Sequence, residues 1–112
     1  MSEYTLDQLN TQFERLPEEL KEAITSIETA RAIKKISDEH KLHIDEAGRL
    51  ADETGLVMFG LTRPYLFPVR VARALNVDKN KAAIIAQAVN DQIFAPIQEY
   101  LKNPRFLNLL CQ

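Results

Sequence analysis

The chain of 112 residues is 46% apolar and 27% charged, carries a formal charge of -2 and has one cysteine, Cys111. A chain of that length buries roughly two thirds of its unfolded surface as one domain, and a lone Cys excludes an internal disulfide framework or a Cys-based zinc cage. No apolar run approaches the roughly 18 residues of a membrane span, and the opening MSEYTLDQL lacks the basic-then-apolar profile of a signal peptide, so a soluble cytoplasmic protein is expected.

Helical punctuation starts at once. Thr5 with Gln8 forms a capping box, and Tyr4 with Leu9 occupies the positions of a hydrophobic staple. A first helix is therefore predicted from Leu6, with Leu6, Leu9, Phe13 and Leu16 on one stripe. Pro17 suits the first turn of a short second helix whose inward face reads Leu20, Ala23, Ile24 and Ile27. Thr25 with Glu28 is a further capping box, opening a third helix with the stripe Ile27, Ala30, Ile33, Ile36 and His40.

The segment KLHID interrupts that helix. A fourth helix follows, with Ile44, Ala47, Leu50, Ala51, Val57, Met58 and Leu61 on a wide apolar face and Gly60 at its end. Gly48, Ala51 and Gly55 share one side, a small-residue surface on which another helix is expected to pack closely. Thr62, Arg63, Pro64 and Pro68 make the most punctuated stretch of the chain, predicted as a loop or single turn before a fifth helix from about Pro68 to Leu75.

Asn76 tolerates the left-handed conformation that ends a helix, and Asp78 can cap the next. From Lys79 the stripe Ala82, Ile85, Ala86, Val89, Ile93, Ile97, Tyr100 and Leu101 keeps helical spacing, interrupted by Pro96, so this long helix should kink near Ala95 or split. Asn103 before Pro104 caps a last turn or two in RFLNLL. The expected fold is all-α: a compact single-domain array of six or seven helices over 1–112, with residues 1–15 and the apolar tail 103–112 as peripheral additions. A weak internal repeat pairs Leu42 with Leu75, Ile44 with Val77 and Asp45 with Asp78. After a two-residue slip it pairs Leu50 with Ile85, Ala51 with Ala86, Met58 with Ile93 and Phe59 with Phe94.

Little here supports catalysis. His40 and His43 with their acidic neighbours are the one cluster that resembles a metal site, but the pair straddles a helix end. Glu18, Glu19, Glu22, Asp52 and Glu53 lie on what read as solvent faces, and Cys111 has no base assigned to it. Glycine-rich phosphate loops and hydrolase elbows are missing, so no enzyme, cofactor or small-molecule substrate is expected.

Association is the better-supported class. Residues 1–56 carry thirteen acidic and seven basic side chains, residues 57–112 three and seven, so the halves bear -6 and +4. GLVMFGLTRPYLFPV and FLNLLCQ hold more apolar side chain than one core face accommodates. This nominates Phe59, Arg63, Tyr65, Phe67 and Arg70 at the proline-marked joint, and Phe106, Leu107 and Leu110 in the tail, as contacts for a protein partner, a second copy of the chain included. The alternative is nucleic-acid binding. VARALNVDKNKAAIIAQAV reads as a helix, a tight turn and a second helix that presents Lys79, Asn80 and Lys81 to a groove, with Arg63, Arg70 and Arg73 on phosphates.

The phrases LHIDEAG, GLVMFGLTRP, LNVD and VNDQIFAPIQEYL resemble those of a family of short, all-helical bacterial proteins of unknown function, over residues 16–102. The resemblance implies a helical fold and a bacterial cytoplasmic setting. It carries no activity, cofactor or site residue.

Overall fold

Thr5 and Gln8 close the expected box in both directions. In the computed structural model, which describes residues 3–101, Thr5 N–H donates to Gln8 Oε1 at 2.8 Å and Gln8 N–H to Thr5 Oγ1 at 3.1 Å. Helix α1 follows over Leu6–Arg15, α2 over Glu18–Ile24, α3 over Ile27–Glu39 and α4 over Ile44–Met58. A single 3-10 turn, Pro64–Leu66, leads into α5 (Phe67–Leu75), and α6 runs over Lys79–Val89. The described residues contain no strand, and none of their helices is long and apolar enough to cross a membrane.

At Pro96 the long helix is interrupted, near Ala95 as expected. One π-helical turn, Asn90–Phe94, and one 3-10 turn, Ala95–Ile97, join α6 to α7 (Gln98–Leu101). The change of hydrogen-bond pattern absorbs the missing donor and keeps Ile93, Phe94, Ile97 and Leu101 in the core.

Several local expectations need correction, among them Ile44, which starts α4 at 92% exposure instead of joining its apolar face. Helix α3 is capped by Ser26, whose hydroxyl accepts from Glu28 N–H at 3.0 Å, while the Thr25 hydroxyl bonds back to the Lys21 carbonyl at the end of α2. Because the cap lies one residue later, Ile27 starts α3 and stands 61% exposed instead of facing the core. Nor does any helix pack on Gly48 and Gly55, since a Cβ built at either would meet nothing within 4 Å. Finally, Gln12 is buried on α1 although Leu6, on the expected stripe, is exposed.

The repeat is real in the backbone, and its slip disappears. Lys41 (φ 57°) and Asn76 (φ 53°) both take the left-handed conformation, and each is followed by an apolar residue whose N–H reaches back five positions. Leu42 N–H donates to the Ser37 carbonyl at 2.9 Å and Val77 N–H to the Ala72 carbonyl at 3.1 Å, a Schellman closure in both cases. His43 and Asp78 then stand at the N-caps of α4 and α6. At this constant spacing Ile36, Leu50, Thr54 and Met58 of α3–α4 correspond to Val71, Ile85, Val89 and Ile93 of the second unit, and all eight are buried. The sequence match at Leu42–Leu75 is out of register, because His40, not Leu42, is the counterpart of Leu75. Two helix–turn–helix units therefore enclose a shared core.

Candidate functional site

Gly60 directs the proline-marked joint. At φ 79° it lets Leu61 N–H close on the Leu56 carbonyl at 2.8 Å, and Thr62 N–H reaches the same oxygen at 3.1 Å. Pro64 and Pro68 then sit near the starts of the 3-10 turn and of α5, where a missing donor costs nothing.

Helical spacing through this joint sorts its side chains. Phe67, Val71 and Leu75, four residues apart, point inward, and Phe67 meets Phe94 edge-on with ring centroids 5.0 Å apart. Tyr65, Leu66 and Val69 point outward, at 71%, 39% and 57% exposure, beside exposed Arg63. A groove of about 360 Å³ runs between Leu61, Tyr65, Leu66 and Arg70.

The nominated contact residues consequently divide. Arg63 and Tyr65 are outward. Phe67 is only 2% exposed and belongs to the core, a correction to its nomination. Phe59 is half-buried against Phe13, with ring centroids 6.0 Å apart, and Arg70 turns toward the protein, where its Nε donates to Glu53 Oε1 at 2.6 Å and its guanidinium also pairs with Glu3. The Glu53 carboxylate first, and Glu3 second, hold the Arg70 guanidinium above its ordinary pKa. Phe106, Leu107 and Leu110 lie outside the described residues. Leu66 and Val69 complete the outward face and were not nominated from the sequence. Projecting Phe67, Val71 and Leu75 onto one side of a helix would have placed both on the other.

Of the alternative set, Arg63 lies at the proline-marked joint, Arg70 is paired with Glu53 and Glu3, and Arg73 lines a recess with those three residues, so only Lys79, Asn80 and Lys81 stand together. Arg73 near the end of α5 and Lys79, Asn80 and Lys81 in the first turn of α6 are all exposed, across a three-residue turn made by Asn76, Val77 and Asp78. The Asp78 carboxylate is occupied by the helix, accepting from Lys81 N–H at 2.8 Å. Further along α6, Ala83, Ile84 and Gln87 continue the same outward face.

The acidic and histidine residues do not converge. His40 ends α3 and His43 precedes α4, and among the described residues no group of three or more His, Cys, Asp or Glu is placed to hold a metal. The small side of α4 instead opens a cavity of about 420 Å³ between α1 and α4, with Leu9, Ala51, Gly55 and Leu56 in its wall. Of its carboxylates, Glu3 and Glu53 are both taken up by Arg70, and Asp52 stands exposed.

No protein-family model, curated protein or solved structure matches the chain.

Proposed function

We propose that this chain is a helical interaction module that acts by binding a protein partner, a second copy of itself included, and not by catalysis. Its contact surface is the outward side of the Pro64–Leu66 turn and the start of α5. The observation that supports this reading is the exposure of Tyr65 and Val69, one turn apart on the same side of the chain, with Leu66 between them. Large apolar side chains grouped in this way, with Arg63 at the margin, have the composition of an interface centre and its polar edge. Anchors of this kind, above all an exposed Tyr, carry much of the binding energy where partners meet.

The full chain should therefore self-associate in light scattering as its concentration rises, or retain a partner from native lysate. In either case the double change Tyr65→Ser and Val69→Ser should abolish the association while leaving the helical circular dichroism intact. A chain that stays monomeric and whose captured proteins are unaffected by the double change would overturn the reading.

A further inference from the structure

We propose that the second helix–turn–helix unit, α5–α6, binds duplex DNA, with the N-terminal half of α6 in the major groove. This goes beyond the protein-contact reading and uses a different face. Two helices joined by a three-residue turn, the second with a free outer side along α6, form the element that enters a groove about 12 Å wide.

The outer side of α6 has the chemistry that groove requires. Asn80 carries an amide that pairs with adenine edges, and Ala83 and Ile84, the latter 59% exposed, offer apolar contact to a thymine methyl. Lys79 and Lys81 flank them, and the positive end of the α6 dipole adds to the same field. Charge also orients the helix. The cations lie in its first turn, whereas Gln87 Nε2 donates to Asp91 Oδ1 at 2.8 Å near the far end, where a carboxylate would repel phosphate.

The repeat supplies an internal comparison. Positions equivalent to Arg73, Asn80 and Lys81 in the first unit are Asp38, Asp45 and Glu46, so the same backbone carries acidic groups in one copy and basic or amide groups in the other. Packing does not require this difference, because all six side chains are exposed or half-exposed. Duplex DNA is favoured over RNA on two grounds. The major groove of A-form RNA is too deep and narrow for side chains to read, and the outer face of α6 has no aromatic ring on which unpaired bases would stack.

The test is fluorescence anisotropy of a labelled mixed-sequence DNA duplex titrated with the full chain between about 50 and 200 mM salt. The expected result is salt-sensitive binding that the double change Lys79→Glu and Lys81→Glu weakens by about tenfold or more, with a shallower salt slope. The double change Arg31→Glu and Lys35→Glu on α3 alters net charge equally and should cost much less. Circular dichroism checks folding of both variants, whose altered side chains are exposed. The proposal is overturned by absence of binding at the lowest salt, by equal losses in the two variants, or by a single-stranded RNA probe that binds tighter than the duplex.

Discussion

Gln12 Nε2 donates to the Phe59 carbonyl at 2.8 Å, tying the middle of α1 to the C-cap of α4 across 47 residues of sequence. Gln12 is the one buried residue of α1, so a polar side chain is what seats this helix, helped by Phe13 on the Phe59 ring. Gln12→Ala leaves a carbonyl at a helix end without that donor in a partly buried place. It should lower stability by about 1–3 kcal/mol, read as a lower urea midpoint with unchanged slope. A midpoint equal to that of the parent chain would show that α1 is held by its apolar contacts alone.

Ser37 tests the opposite case. Its hydroxyl is buried in α3 with no hydrogen-bond partner among the described residues, while the equivalent position in the second unit is Ala72. Ser37→Ala removes a desolvated polar group and adds helix propensity, so it should stabilise by about 1 kcal/mol. For a domain near this size the thermal midpoint should rise by roughly 4–8 °C. A fall would mean that the hydroxyl is satisfied in solution.

The two left-handed turn residues should respond unequally to glycine. Lys41, at φ 57°, has no short polar side chain to ease the conformation, whereas Asn76, at φ 53°, belongs to a type that tolerates it. Lys41→Gly is expected to stabilise by about 0.5–1 kcal/mol and Asn76→Gly by less. Chemical denaturation of both single variants gives the order, and a larger gain at Asn76 would contradict it.

Tyr100 gives a pH signature for the seating of α7 on α2. The negative charge of Glu19 above all, then burial and Glu99, raise its phenol above the ordinary value of 10.0. Because the folded pKa is the higher one, this contribution to stability is complete below the unfolded pKa and is lost as pH rises through the folded value. In a chain carrying Tyr4→Phe and Tyr65→Phe, the phenolate absorbance should titrate above pH 10, and Glu19→Gln should move that midpoint down. An unmoved midpoint would separate Tyr100 from Glu19.

Local chemistry accounts for what could be read before folding. The Thr5–Gln8 box, the Asp78 cap, the left-handed Asn76 and the glycine end at Gly60 each involve residues within one turn of one another, so neighbours in sequence are enough to specify them. At Ser26 two adjacent residues both had capping side chains, and only the docking of α3 selects between them. The repeat was visible through its core residues, but its register was misread across the first turn. A left-handed Lys gives no sign of its conformation in the sequence.

The candidate surface was half legible. Arg63 and Tyr65 could be nominated from composition, but Phe67 and Arg70 could not be assigned to inside or outside until α4, α5 and the π-turned end of α6 were brought together around them. Thus the sequence by itself determined the helices, their caps apart from that of α3, and the polarity of charge along the chain, since each depends on contacts a few residues apart. Tertiary structure alone decided that Gln12 turns inward, that Gly48 and Gly55 line open space, and that Tyr65, Leu66 and Val69 remain uncovered. Burial is a property of what distant segments place against a side chain, and no local pattern contains it.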